Sequence, residues 1–311
     1  MERLAARLQL KEFRLIHAIE QTGQLTLAAE QLAITQPAAS RMLAQIERTI
    51  GSNIFMRHPK GMTPTAVGAV LARNAATLIR SIERTADEVE ATGAGRAGTV
   101  RVGAVTGGAV AFVVPAIQQL KRDADGADIH VDVATSDALM EGMLRGDYDF
   151  VLSRVPPGID ARQFNIRRGR VEIIRFLVRA GHPLESASAL SLAELAGYQW
   201  IIQAPRSPMR QAVEDAFIHC GVPLPSEIVN TTSLLVMLSY LSASDAVAPI
   251  SGEVADLFGP TSIGGNVRVL DINEPIIVHA YHMVTLKNQV LNPIAVKLRN
   301  LVLEQLSTAG A

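Results

Sequence analysis

One cysteine, Cys220, is the whole thiol complement of the 311 residues. It excludes an internal disulfide and any cysteine-based zinc or iron–sulfur centre within one chain, and it fits a reducing cytoplasm. No stretch approaches about 18 consecutive apolar residues. The opening MERLAARLQLKEFRLI carries a charge every three or four positions, where a signal peptide would carry an apolar block. Secretion and membrane spanning are disfavoured, and a cytoplasmic protein is expected.

Catalytic signatures are also missing. Gly103, Gly107 and Gly108 follow an expected strand but match neither G-x-G-x-x-G nor a P-loop, and no G-x-S-x-G elbow occurs. His279 and His282 lie three apart in an expected strand, where alternation sends them to opposite faces. Nothing pairs a serine with the remaining histidines, and Cys220 lacks a second thiol to resolve a sulfenic acid. No enzyme, metal site or cofactor is expected.

Charge of either sign is in balance, with Lys plus Arg 29 against Asp plus Glu 30, so the total alone argues for no polyanionic partner. Its distribution is informative. Residues 1–66 hold eight basic and five acidic side chains, 8 − 5 = +3, which leaves −4 for the remainder of a chain of net −1. Hydrophobic residues at 48% supply enough apolar surface for folded cores, and 311 residues exceed what one core usually serves, so at least two domains are expected.

Phe13, Ile16 and Ile19 recur every third position and predict a helix over Leu10 to Gln21, closed by Gly23. Leu25, Ala28, Ala29 and Leu32 share one face of a second, short helix. Thr35 suits an N-cap through its side-chain oxygen, and Pro37 suits the first turn of a third helix. On that helix Ala39, Leu43, Ile46 and Ile50 fall within an arc of about 60° at 100° per residue, a core stripe. Pro37, Ser40, Arg41 and Ala44 fall on another face, which is short and polar, with Gln36 near the helix start. Small side chains there admit a helix to a major groove, where Ser40 and Arg41 can donate to base edges or phosphates. Arg57, His58 and Lys60 then cluster around Pro59 and Gly61, a turn between two extended runs that reads as a basic wing for the phosphate backbone.

The run LTLAAEQLAITQPAASRMLAQIERTIGSNIF, followed by RHPKGMTPTAVG, closely resembles the winged helix-turn-helix of LysR-type transcriptional regulators. The match rests on Ala28, Ala29 and Leu32, Gln36 to Ala38, Ser40, Arg41, Leu43, Ile46, Glu47, Gly51, Phe55, Arg57, Gly61, Thr65 and Gly68. Thr35 stands where a serine is usual, and Pro64 where a leucine is. The DNA-contact set so expected is Thr35, Gln36, Pro37, Ser40, Arg41, Gln45, Arg57, His58 and Lys60, on residues 1–65.

From Ala66 to about Thr92 no proline occurs. Leu71, Ala75, Leu78, Ile82, Thr85 and Val89 are spaced as a heptad seam, with Thr65 capping the start and glycines at 93 and 95 stopping it. Residues 66–94 are thus an expected linker helix, and the resemblance implies that Leu71, Leu78, Ile82 and Val89 pair two heads in a homodimer or homotetramer.

Beyond Thr99 strands alternate with helices, an α/β pattern. The expected order is TVRVGAV, a helix after Pro115, IHVDV, a helix over Asp137 to Leu144, and DFVLSR. A second set runs from VEIIRFLVRAGHPL through YQWIIQ, a helix near Arg210 to His219, EIVNT, a helix over Leu234 to Leu241, and AVAPIS. NVRVLDI, IIVHAYHMV and a helix over Pro293 to Leu306 complete it. This order resembles the periplasmic-binding-protein-like effector domain of the same family. Lobe I is expected over 98–168 plus 269–311 and lobe II over 169–268. The fold class is therefore α/β: a winged helix-turn-helix, a long linker helix and a two-lobed effector-binding domain.

Ligands of open α/β sheets bind beyond the carboxyl ends of strands, near helix N-termini. That places Thr106, Gly107, Ser136, Ser153, Arg154, Ser207, Arg210 and Thr232 as expected effector contacts. Their hydroxyls and guanidinium groups suit a sugar or an organic acid. The chain also resembles regulators of sugar or aromatic-acid catabolism within the family, which implies a catabolic or uptake operon and contact with RNA polymerase at promoter DNA. The competing reading is a small-molecule-binding protein or enzyme whose N-terminal helices serve only oligomerisation.

Overall fold

The computed structural model describes residues 8–93, 98–123, 126–258, 266–287 and 289–308. Among these, no helix is long and apolar enough to cross a membrane. The described residues fall into two compact units: those up to 100 with 126–128 and 141–149, and the remainder.

The first unit opens with α1 (Leu10–Thr22), α2 (Leu25–Gln31) and α3 (Gln36–Ile50). Gly23 and Gly51 adopt the left-handed conformation at the ends of α1 and α3, which an L side chain resists. Leu15, Ile16, Ile19, Ala28, Ala29, Ala39, Leu43 and Ile46 form one core, so the apolar faces anticipated for all three helices do converge. Strands β1 (Phe55–His58) and β2 (Gly61–Pro64) pair antiparallel, leaving Pro59 and Lys60 as a two-residue turn. At Gly61 (φ 139°) a Cβ would stand 2.4 Å from the Gly23 carbonyl oxygen. The same carbonyl accepts from Met62 N–H at 2.7 Å, which ties the hairpin to the end of α1.

Helix α4 (Ala66–Gly93) is 28 residues long, about 42 Å at 1.5 Å per residue. Thr65 caps it through a bond from Gly68 N–H at 3.1 Å. The stop expected at 93–95 lies partly outside the described residues. Leu71 and Ala75 pack into the core of the head, whereas Leu78 (45% exposed), Ile82 (43%) and Val89 (68%) face outward. The seam thus divides into a part that anchors the helix to its own head and a part that is bare.

Residues 141–149 join this unit through ion pairs to α4. Arg84 contacts the Asp149 carboxylate at 3.0 Å and donates to the Gly146 carbonyl at 2.7 Å, and Arg80 contacts Asp147 at 3.2 Å. A division at the ends of the linker helix, as expected from sequence, does not capture these contacts.

The second unit is built on a seven-stranded sheet to which β3 (Gly98–Ala104) and β4 (Ala127–Val133) also belong, with β5 (Phe150–Ser153), β6 (Phe164–Arg179), β9 (Ala248–Ser251), β10 (Val267–Leu270) and β11 (Ile276–Leu286). β3 and β5 run parallel. Two short strands, β7 (Trp200–Ile202) and β8 (Ile228–Asn230), pair separately. β6 begins at Phe164, earlier than the apolar run VEIIRFLV indicates, because the polar stretch before it pairs with the end of β11. The two long strands cross between lobes. β10, which spans the expected boundary at residue 269, pairs with Phe176–Arg179, the end of β6 that also carries β9.

One helix departs from expectation. It begins at Thr106, ahead of Pro115, and runs as α5 (Thr106–Gly108), a π-helical turn (Ala109–Val113) and α6 (Val114–Asp123). Pro115 has no N–H to return to the preceding turn, and a π-turn is a recognised accommodation of such a break. The helices α7 (Ser136–Arg145), α8 (Leu192–Ala196), α9 (Pro208–His219), α10 (Leu234–Ser242), α11 (Gly252–Ala255) and α12 (Pro293–Thr308) complete the fold.

Candidate functional site

In the first unit, α3 presents Gln36, Pro37, Arg41, Ala44 and Gln45 as exposed residues with Ser40 half-buried beside them, while Ala39, Leu43 and Ile46 are buried on the opposite side. Thr35 stands at the N-cap with extended backbone, but its hydroxyl caps nothing. A capping oxygen accepts from the second or third helical N–H. Here the second residue is Pro37, which has none, and Ala38 N–H goes to the Thr35 carbonyl at 2.9 Å. The Thr35 hydroxyl is left at the surface. Arg57, His58 and Lys60 are exposed on the hairpin. No described residue pairs with Arg41, Arg57 or Lys60, so three cations lie uncompensated on α3 and the hairpin. Gln45 accepts from Arg48 at 2.8 Å.

The frame that holds this surface is short-range and polar. Glu47 accepts from Ile54 N–H at 2.9 Å, tying the far end of α3 to the hairpin. A Cβ on Gly68 would stand 1.8 Å from the Ile54 carbonyl oxygen, so α4 meets the residue before β1 at backbone contact.

In the second unit, Ser136, Ser153 and Arg154 come together in lobe I. Ser153 donates to the Ser136 carbonyl at 3.4 Å and the Arg154 carbonyl at 2.9 Å, and Ser136 accepts from Arg154 N–H at 3.4 Å. The Arg154 guanidinium binds the buried Glu172 carboxylate, donates to the His279 carbonyl at 2.6 Å and lies 5.8 Å from the centre of the Tyr281 ring. Arg210 is likewise committed, to Glu214 at 2.6 Å, Asn230 at 2.6 Å and the Gln203 carbonyl at 3.4 Å. Of the sugar or organic acid expected from the sequence, the acid draws on these two arginines; both guanidinium groups are answered by carboxylates of the chain itself. Ser207 caps α9 by accepting from Arg210 N–H, and Thr232 is exposed. No described hydrogen bond or ion pair joins Ser207, Arg210 or Thr232 to the lobe I group.

Four residues not anticipated from sequence gather where the chain crosses between lobes: Glu172 on β6, Ser251 at the end of β9, Glu253 on α11 and Tyr281 on β11. A Cβ on Gly107 would lie 2.8 Å from Glu172 Oε1, 2.8 Å from Ser251 Oγ and 3.2 Å from Glu253 Oε2. Ser251 Oγ, Glu253 Oε2 and the Tyr281 hydroxyl are buried without a hydrogen bond of good geometry. Burial pushes the Glu253 carboxyl above its ordinary range and the nearby Glu172 charge adds to this, while its own backbone N–H, a hydrogen bond with Ser251 and the charge of Arg170 oppose it. Burial first, then Glu253 and Glu172, pushes the Tyr281 phenol up as well. The available signal was Glu172, an acid inside the apolar strand VEIIRFLV, where a buried charge demands a partner. Gly169 sets the spacing: a Cβ there would meet the Tyr281 carbonyl oxygen at 1.8 Å, so the crossing strands touch at this point.

Cys220 ends α9 in an exposed position, 3.5 Å from Glu274 Oε2. Desolvation first, and then the bond and charge of Glu274, raise its thiol, the reverse of what a reactive thiolate needs.

Residues 10–69 match the family model described as bacterial regulatory helix-turn-helix protein, lysR family, and residues 93–307 match the LysR substrate binding domain. Among curated proteins, the chain is 34% identical to the HTH-type transcriptional regulator GbpR of Rhizobium radiobacter, over 79% of this chain and 82% of that one. It is 33% identical to GbpR of Azospirillum brasilense, over 93% and 84%. The regulator PcaQ of Agrobacterium fabrum is 26% identical over 79% of each chain. Among solved structures, full-length CbnR complexed with its target DNA superposes with a TM-score of 0.64 at 18% identity, over 96% of this chain and 100% of that one. A full-length OxyR variant from Pseudomonas aeruginosa gives 0.61 at 18% identity, over 97% and 94%.

Proposed function

The chain belongs to the LysR family of bacterial helix-turn-helix transcriptional regulators, and from that premise we propose that it controls a catabolic or uptake operon in response to a small metabolite held between the two lobes of its second unit. The observation that carries the DNA-binding part is the exposed face of α3 with Arg41 unpaired, set beside a hairpin bearing Arg57, His58 and Lys60. Arg41, Ser40, Gln36 and Gln45 would read base edges, with Thr35 and Pro37 at the point of entry, and the hairpin cations would hold phosphates. Relatives that are transcriptional regulators, GbpR and PcaQ, support an operon-control role.

The work is divided along the chain as read from the sequence: a head over 1–65, a linker over 66–94 and an effector domain beyond. Leu78, Ile82 and Val89, exposed on α4, are the contacts by which two heads pair, with Leu71 steadying the helix on its own head. Two heads then address two half-sites in a dimer or tetramer, and the assembly works with RNA polymerase in the cytoplasm, without chemistry of its own. Footprinting on the DNA upstream of its own gene tests this. Two protected segments centred about 34–36 Å apart, or a multiple of that, are expected. Uniform or absent protection would overturn the reading.

A further inference from the structure

We propose that the turn joining α7 to β5 is a latch on the linker helix, gripped by Arg80 and Arg84, through which a change along α7 and β5 reaches the DNA-binding head. It rests on the regulator reading above and names the contact that carries the regulation.

The grip is ionic and two-pronged. Side chains four apart project from one face of a helix, so Arg80 and Arg84 of α4 meet the same turn. Arg84 contacts the buried Asp149 carboxylate at 3.0 Å and donates to the Gly146 carbonyl at 2.7 Å. Arg80 reaches Asp147 at 3.2 Å, and Arg145 closes on that carboxylate at 2.9 Å from the turn's own side. Gly146 is left-handed (φ 81°), and a Cβ there would stand 3.6 Å from Arg80 Cβ, so helix and turn touch.

The turn is stiff and it leads in both directions. Gly146 N–H donates to the Met143 carbonyl at 3.0 Å and Asp147 N–H to the Gly142 carbonyl at 2.9 Å. The Tyr148 ring lies so close to Gly142 that a Cβ would meet it at 2.6 Å. Turn and α7 therefore move together. α7 has 10 residues, about 15 Å at 1.5 Å per residue. At its far end the Ser136 carbonyl accepts from Ser153 and the Ser136 hydroxyl from Arg154 N–H. α7 and β5 thus form a closed frame, with the latch at one end and three expected effector contacts at the other. On the head side α1 packs along α4, and Leu15, Ile16 and Ile19 of α1 share a core with Ala39, Leu43 and Ile46 of α3. The charges of Arg80, Glu83 and Asp147 also act on His17 of α1. A continuous run of packed elements joins the latch to the recognition surface, the kind of connection that carries coupling between sites.

Coupling is reciprocal: if this frame alters DNA binding, DNA binding must alter the frame. The test therefore needs no effector, only the full chain and the footprinted promoter duplex, with amide hydrogen exchange read at 136–153 and, as reference, at β7 (Trp200–Ile202). Adding the duplex should change exchange at 136–153 by at least about five-fold beyond any change in β7, the lower end of ordinary coupling. Two variants cut the latch from opposite sides: Arg80→Ala with Arg84→Ala, and Asp147→Ala with Asp149→Asn. Each should still protect the same promoter segments while losing that change. No change in the natural chain, or its persistence in a variant whose circular dichroism matches the natural chain, would overturn the latch. If the duplex is bound specifically without the change, the latch alone is wrong; if no promoter duplex is bound specifically, the regulator reading fails and the latch with it.

Discussion

His17 lies half-buried on α1 with its Nδ1 lacking a partner. Burial lowers its pKa, Arg80 adds to that, and Glu20, Glu83 and Asp147 oppose it. The neutral ring is therefore favoured in the folded state. At pH above the ordinary histidine value of about 6.5 both folded and unfolded states are neutral, and the group costs nothing. Below it the unfolded chain takes up the proton more readily, so stability is lost as pH falls. Thermal unfolding followed from pH 7.5 to 5.5 is expected to show a steeper loss for the natural chain than for His17→Gln; parallel profiles would remove the assigned role. At this scale the sequence is legible for residue type and surface position, as at Arg41 or Lys60. It is less so for partnership, since Arg154 and Glu172 lie 18 positions apart and meet only through the pairing of strands. Thr35 is a smaller instance, where Pro37 removes the very donor its hydroxyl was expected to cap.

Helix α4 is packed on its own head at one end and bare further along, and each part can be altered separately. Leu78 and Ile82 are bare in the single chain, so Leu78→Asp with Ile82→Asp leaves the head's core untouched while placing charge in the proposed pairing seam. Light scattering should show the assembly falling to half its mass or less, and an unchanged mass would exclude the helix as the dimer contact. Arg84 instead braces the helix against Asp149, whose side chain is only 7% exposed. Arg84→Ala removes this charge-assisted bond, which should cost about 1.5–3 kcal/mol in urea unfolding of the first unit. A loss under about 0.5 kcal/mol, the scale of an exposed pair, would show that the bridge is solvent-screened. Periodicity foretold the helices because their apolar stripes are local. It missed the brace, which joins residues 65 positions apart, and it placed the helix start after Pro115 because a π-turn leaves no mark in an apolar pattern. The length of β6 was hidden for a related reason: its first half is polar and is a strand only through its partner.

At the scale of the whole molecule, the formal charge of −1 conceals a division of labour between a head with a surplus of cations and a body with a surplus of acids. The head's identity was legible because DNA recognition demands particular small and polar residues on one short helix face. The expected effector contacts were legible only by their places at strand ends, since which of them meet, as Ser136, Ser153 and Arg154 do, depends on the pairing of distant segments. The central claim, sequence-specific DNA binding through α3 and the hairpin, is tested most directly by salt-titrated anisotropy on the footprinted promoter segment and a scrambled duplex, comparing the natural chain with Arg41→Ala and Lys60→Ala. Arg41→Ala should weaken binding to the promoter segment by about 1–3 kcal/mol and relax discrimination against the scrambled duplex. Lys60→Ala should weaken both duplexes alike and lower the salt slope by about one. Wild-type affinity, discrimination and salt slope in both variants would contradict the account.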